Sequence, residues 1–181
     1  MIHNVQYTGV TLRDLLKETG LKSNAKWMLA EGSDSAGLTR SVPIEKVLDD
    51  CMVVWAMNGE ALRPEQGYPV RIVIPGWEGN MWVKWLRRLE FGDKPYFSRE
   101  ETSKYTDLMT DGRARMFTWV MEAKSVVTSP SPEKPILEKG LHQLRGLAWS
   151  GRGKVKRVDV SLDGGKNWIT AKIHGPVLSK S

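Results

Sequence analysis

The chain reads as an α+β protein in two units, and three observations predict this. Up to Val127, short helical signals alternate with apolar, strand-like runs. A composition break follows at Thr128–Pro135, TSPSPEKP, where three prolines and few apolar residues mark a linker or an edge loop. Beyond it the pattern changes to short strands separated by glycine turns.

Each element has its own signal. Thr11–Thr19 predicts a short helix, capped by Thr11, striped by Leu12, Leu15 and Leu16, and closed by Gly20. Trp27–Ala30 predicts a strand running into the turn Glu31-Gly32-Ser33-Asp34. Pro43–Leu48 predicts a second helix with proline in its first turn. Met52–Met57 is a buried-type strand, and Asn58-Gly59 is a strong hairpin signal that leads to Leu62. Ser98-Arg99-Glu100-Glu101 matches a capping box that opens a helical turn, and Phe117–Val127 is strand-like. In the second unit Leu141–Trp149, Val155–Leu162 and Trp168–Ile173 predict strands, too few for a complete sandwich.

Composition narrows the function classes. The 181 residues carry a formal net charge of +6, which favours anionic partners; the cations are scattered, so a nucleic-acid tract is not the first reading. One cysteine excludes an intrachain disulfide or a multi-thiolate zinc site, and His3, His142 and His174 show no ligand spacing. No run is apolar and long enough to span a bilayer, and the N-terminus MIHNVQYTGV lacks a signal-peptide pattern.

The stretch GYPVRIVIPGWEGNMWVKWLRRLEF, Gly67–Phe91, carries the sharpest chemistry. It predicts an apolar strand Val70–Ile74, a Pro75-Gly76-x-x-Gly79 turn and a basic strand Trp82–Phe91, with Arg71, Lys84 and Arg88 near the junction. Exposed backbone N–H groups beside fixed cations suit a phosphate or another compact polyanion; a charged, solvated hairpin is the plain alternative. Trp77, Trp82 and Trp85 are stacking candidates for a heterocycle or simply packing residues. Tyr105, in SKYTD near Lys104 and Arg99, is placed to orient an anionic substrate or is an ordinary half-buried tyrosine. Asp34 fits turn chemistry. Cys51 follows Asp49 and Asp50, which disfavour a thiolate, so it reads as structural.

Those words resemble a known family. GYPVRIVIPGWEGNMWVKWLRRLEF and MNGEALRPEQGYPVR are similar to the segments of sulfite-oxidase-type molybdenum enzymes that close over the molybdopterin cofactor. REETSKYTDL and FTWVMEAKSV are similar to a narrower branch, the molybdenum subunit of bacterial sulfane dehydrogenases of the Sox system. RGLAWSGRGKVKRVDVSLDGGKNW resembles the start of the immunoglobulin-like dimerisation domain that follows in that family. The resemblance implies the C-terminal part of a molybdopterin-binding domain at residues 1–123, then a partial immunoglobulin-like β-sandwich at 124–181.

It also implies site residues. Asp34 would bind the pterin, Arg71 the cofactor, and Trp82, Val83 and Lys84 the region of the pterin phosphate. Tyr105 would face the metal and substrate as the catalytic residue. Gln66 stands where sulfite oxidases typically have histidine, and would still hydrogen-bond the cofactor without carrying charge. The implied activity is oxidation of a sulfur substrate (sulfane sulfur, thiosulfate-derived or sulfite), with a c-type cytochrome as electron acceptor and a homo-oligomer formed through the β unit. The implied setting is periplasmic, with neither a nucleic acid nor a membrane as partner. The metal-ligating thiolate of the family would lie before Met1 and a substrate arginine beyond Ser181. The expectation is therefore an internal fragment of a longer polypeptide, inactive by itself. A non-catalytic remnant of the fold and a basic anion- or partner-binding module are the alternatives.

Overall fold

Thr11 begins the architecture by ending one element and starting the next. In the computed structural model, which describes residues 5–177, strand β1 (Tyr7–Thr11) leads directly into helix α1 (Leu12–Thr19). The Thr11 hydroxyl accepts from the Asp14 amide, and Gly20, at φ +79°, closes the helix by donating to the Leu16 carbonyl. His3 and Ser181 lie outside the described residues. The chain divides after Trp119 into two units.

Among the described residues the first unit holds two larger sheets and a small two-stranded one. Strands β2 (Trp27–Gly32) and β3 (Thr39–Pro43) pair antiparallel, and helix α2 (Ile44–Asp50) follows at Pro43. Its C-terminal carbonyls, Leu48 and Asp49, accept from the Arg13 guanidinium of α1, which binds the two helices together. Strand β4 (Met52–Met57) pairs with β1, and through the Asn58-Gly59 turn with β5 (Glu60–Ala61). Both turn residues have positive φ, 53° and 81°, as a tight right-twisted hairpin requires. Strand β6 (Arg71–Val73) also pairs with β4. Strand β7 (Leu86–Gly92) instead joins the other sheet, in the order β3-β2-β7.

The core lies among these elements. Leu12, Met28, Ala30, Val42, Val47, Cys51, Ile72, Ile74, Met81 and Val83 form one buried cluster. Cys51 caps the end of α2, and its thiol donates to the Lys46 carbonyl. Helix α3 (Arg99–Lys104) opens with the Ser98 amide donating to the Glu101 carboxylate, one arm of the capping box. The small hairpin β8 (Thr106–Leu108) and β9 (Ala114–Met116) completes this unit.

Several expectations are corrected here. Trp82–Phe91 is not one strand: residues 79–81 form a 3-10 turn, and the strand starts at Leu86. Nor are β6 and β7 a hairpin, since they belong to different sheets. The Trp82 amide is already spent on the Gly79 carbonyl and Trp85 sits at φ +50°, so no ladder can run through these residues. Phe117–Val127 becomes a strand only from Lys124. Phe117 is buried and Trp119 stacks on Trp77 at 5.2 Å, so these side chains pack rather than alternate along a sheet.

The second unit contains two antiparallel pairs among the described residues. Strand β10 (Lys124–Ser129) pairs with β11 (Arg145–Trp149), and β12 (Asp159–Val160) with β13 (Ile169–Thr170). Thr128 and Ser129 of TSPSPEKP end β10 and the rest lies in the β10–β11 connection, so the segment runs from a strand end into a loop between paired strands. The strands are shorter than the alternation implied because residues without a paired neighbour stay outside any ladder. The turn before β13 is organised by Asp163. Its carboxylate accepts from the amides of Asn167 (2.9 Å) and Lys166 (3.1 Å), from the Asn167 side chain and from the Ser161 hydroxyl.

Two expected outcomes follow from this packing. At the β1 bulge, a Cβ on Gly9 would overlap the Val53 carbonyl and come within 2.7 Å of the Val54 Cα. Gly9→Ala therefore lowers stability by about 1–3 kcal/mol, read as a lower urea midpoint; an unchanged midpoint contradicts the bulge packing. The hydrogen bonds from Asn167, with those of Ser161 and Lys166, hold the Asp163 carboxyl down at about 2, against 3.8 when free. A depressed carboxylate stabilises the fold above its unfolded value and loses that contribution as pH falls from 3.8 through about 2. A carboxyl-carbon NMR titration of Asp163 with its midpoint near 3.8 would refute the turn geometry.

Candidate functional site

Three segments meet around a cavity of about 230 Å³. The β2–β3 connection supplies Asp34 and Leu38, β6 supplies Arg71, and the irregular segment between β6 and β7 supplies Gly79, Asn80, Trp82, Lys84 and Trp85. The wall thus combines two cations, one carboxylate, one amide and two indoles.

Arg71 ties the wall together. One terminal nitrogen of its guanidinium donates to the Gln66 carbonyl at 3.1 Å, the other to the Trp82 carbonyl at 2.9 Å. Its Nε is buried and has no hydrogen-bond partner among the described residues. Burial pushes the Arg71 pKa down, yet a guanidinium stays charged near neutral pH. An orphaned donor of this kind costs roughly 1–3 kcal/mol, and this one belongs to a residue of the cavity wall. Asn80 has the opposite need: its amide nitrogen donates to Glu78 at 2.8 Å, while its Oδ1 is buried and unpartnered.

Lys84 is held on the wall by backbone and aromatic contacts. Its ammonium donates to the Glu65 carbonyl at 2.8 Å and lies 4.8 Å from the centre of the Trp85 ring. The chain passes so close that a Cβ on Gly67, itself at φ +104°, would meet the Lys84 Cβ at 2.7 Å. Trp85 is fixed by its indole N–H donating to the Pro64 carbonyl at 2.7 Å, and Trp82 by a similar bond to Trp77 at 3.1 Å. Asp34 Oδ1 accepts from the Leu38 amide at 2.8 Å, so its carboxylate also shapes the turn that carries it.

The structure therefore brings Asp34, Arg71, Trp82 and Lys84 into one cavity. The other sequence-predicted residues lie elsewhere or act through their backbone. The Gln66 side chain accepts from the Arg63 amide at 2.9 Å, and its carbonyl orients Arg71. Val83 is fully buried, and its carbonyl accepts from the Ile72 amide. Tyr105 is not among the lining residues; its half-buried ring lies 4.4 Å from the Arg40 guanidinium carbon. Arg88 is turned to Glu31 and Glu90 rather than to the cavity. Sequence reasoning did not single out Leu38, Asn80 or Arg40. Asn80 in a glycine turn and Arg40 in an alternating strand look ordinary, and only burial without a partner distinguishes them.

The donor set fits part of a molybdopterin. A pterin edge presents both acceptors and donors, which would suit the Arg71 Nε–H and the Asn80 Oδ1, and the cofactor's phosphate would suit a wall that carries Arg71 and Lys84. Metal ligation is not provided in the same way: among the described residues no group of three or more His, Cys, Asp and Glu is placed to hold an ion. Cys51 is in the core, beside α2.

Comparison with known proteins agrees with this chemistry. Residues 1–100 match the family described as the oxidoreductase molybdopterin binding domain, and residues 115–180 match the Mo-co oxidoreductase dimerisation domain. Sulfite oxidase of Gallus gallus is 32% identical over 96% of this chain and 42% of its own length. Mitochondrial sulfite oxidase of Drosophila melanogaster is 31% identical over 95% of the chain and 33% of its length. An NADH nitrate reductase of Solanum lycopersicum is 33% identical over 94% of the chain and 22% of its length. The crystal structure of the sulfane dehydrogenase SoxCD from Paracoccus pantotrophus superposes with a TM-score of 0.91 at 63% identity, covering 98% of this chain and 46% of that one. The chain spans less than half the length of each of these proteins. With one family match across the first 100 residues and a second across most of the rest, the chain belongs to the sulfite-oxidase-type molybdopterin-binding oxidoreductases, with their dimerisation domain following the cofactor domain.

Proposed function

We propose that this chain is the part of a molybdenum oxidoreductase that grips the organic ligand of its cofactor, in an enzyme that oxidises a sulfur substrate and passes electrons to a c-type cytochrome. The observation that carries the reading is the pair of orphaned groups, Arg71 Nε and Asn80 Oδ1, both in residues that wall one cationic cavity. The 63% identity to a sulfane dehydrogenase supports a sulfur substrate (sulfane, thiosulfate-derived or sulfite) over nitrate. Residues 1–123 would form the cofactor domain and 124–181 the dimerisation domain, within an exported, periplasmic protein.

Each residue has a stated task. Arg71 and Lys84 bind the anionic phosphate and keep water from competing for it. Asn80 Oδ1 accepts from, and Arg71 Nε donates to, the edge of the pterin; Asp34 adds an acceptor at the same edge. Trp82 and Trp85 wall the slot, while Gln66 and Val83 act through carbonyls that set Arg71 and the strand beneath it. The Tyr105 phenol donates a hydrogen bond to the substrate oxyanion, and the net charge of +6 raises the local concentration of such anions. When bound, the molybdenum cofactor supplies the redox chemistry, and the protein contributes placement and charge. A thiolate for the metal is not available from the buried Cys51, so the chain by itself is expected to hold molybdenum poorly.

Two measurements test this. In chain purified from a cofactor-producing host, Arg71→Met and Lys84→Met each lower bound pterin about tenfold, the loss of one charge-assisted contact, by fluorescence of the oxidised pterin. Equal pterin in both variants and the parent overturns the assignment of the cavity. In the active holoenzyme, Tyr105→Phe lowers kcat/KM for sulfite by roughly 100-fold while pterin content stays constant; undiminished turnover removes Tyr105 from the reaction.

A further inference from the structure

Arg40 is fully buried, yet neither terminal nitrogen of its guanidinium has a hydrogen-bond partner among the described residues. Its Nε donates to the Met81 sulfur at 2.9 Å, and burial pushes its pKa down against the field of Glu101 and Glu78. A buried cation with two unpaired edges is a poor stabilising device: well-packed apolar replacements for buried ions are often neutral or better. What Arg40 does meet is the ring of Tyr105: its guanidinium carbon lies over that ring, 4.4 Å from the centroid.

The next residue makes the same connection by other means. The Ser41 amide and hydroxyl both donate to the fully buried Glu101 carboxylate, which also accepts from the Ser98 amide at 2.9 Å. Glu101 and Tyr105 are four residues apart, about one helical turn, and β3 meets them with the consecutive pair Ser41 and Arg40. One dipeptide thereby holds α3 through a carboxylate and supports the tyrosine that ends it. The Thr106 hydroxyl closes the same turn on the Glu101 carbonyl at 2.8 Å.

We propose that Arg40 is a positioning residue for Tyr105: its guanidinium, lying against the ring, sets the ring plane and so the place of the phenol oxygen, while Ser41 and Glu101 fix the backbone. The consequence for turnover rests on the catalytic role given to Tyr105 above; the positioning itself does not. Because Arg40 does not line the cofactor cavity, its replacement is expected to act on the tyrosine and not on pterin retention.

The test uses the chain with ring-¹³C-labelled tyrosine, its four tyrosines being distinguished by the signal lost in Tyr105→Phe. In Arg40→Met the Tyr105 resonance moves toward that of free tyrosine, and amide exchange across residues 102–108 quickens about tenfold. The melting temperature stays within a few degrees, because a buried unpaired charge has been removed. Arg40→Lys, which keeps a cation, recovers at least half of the resonance shift. If Arg40→Met does not fold, by near-ultraviolet circular dichroism, Arg40→Gln is read the same way. An unmoved Tyr105 resonance and unchanged exchange in a folded neutral variant overturn the proposal. In the holoenzyme, Arg40→Met lowers kcat at constant pterin content. If the resonance moves but Tyr105→Phe turns over normally, positioning stands and the catalytic role falls. If it does not move while Tyr105→Phe is impaired, the catalytic role stands and positioning falls.

Discussion

Arg71 reaches from β6 to the carbonyls of Gln66 and Trp82, and in doing so it joins a strand, the 3-10 turn before it and the irregular segment after it into one wall. Neither carbonyl belongs to a ladder that could spare it, so a neutral side chain at this position would leave two backbone acceptors without their donor. The guanidinium is suited to the task because it carries several donors in a fixed plane. With one terminal nitrogen serving each carbonyl, its Nε is left without a hydrogen-bond partner among the described residues. That unpartnered donor is the chemical feature on which the reading of the cavity turns.

The irregular backbone around it follows from the same demand. A regular hairpin between β6 and β7 would have spent the amides and carbonyls of residues 82–85 on a neighbouring strand. Instead β7 leaves for the other sheet; of residues 82–85 the Val83 carbonyl still accepts from the Ile72 amide of β6, while the side chains of Trp82, Lys84 and Trp85 line a slot. The cost is local strain and close approach, met by a positive φ at Trp85 and by Gly67, where no side chain fits against Lys84. Lysine, tryptophan and asparagine are then presented from loops but anchored by hydrogen bonds to backbone carbonyls or to Glu78, so they do not wander as loop side chains usually do.

Charge is distributed by role across the first unit. Arg87 and Arg88 hold Glu31 below the usual carboxylate range and settle a cross-strand contact. Arg13 caps α2, Lys46 pairs with Asp50, and Arg40 lies under Tyr105. Among the described residues Arg71 and Lys84 meet no carboxylate within ion-pair distance, only carbonyls and a ring. Cations held in place by neutral acceptors keep their charge uncompensated, which is what an anionic cofactor tail requires.

Local signals were sufficient for much of the fold. The Thr11 cap, the Asn58-Gly59 turn, the capping box at Ser98 and the apolar stripe of α1 each act within a few residues, so their elements can be read from the chain. The cations Arg71 and Lys84 were legible for the same reason, being set in a distinctive run of glycine and tryptophan. Partnership across the chain was not. Nothing in the sequence shows that β6 and β7 part company, that Arg88 turns to Glu31, or that Asn80 is buried without a partner. Arg40 and Tyr105 are 65 residues apart, and no period links them. By itself the sequence determined the short-range elements and the identity of the charged groups, because capping, turn geometry and periodicity are local. The tertiary structure decided which of those groups face one another and which are left wanting a partner, because burial and hydrogen-bond satisfaction are properties of the whole packed chain.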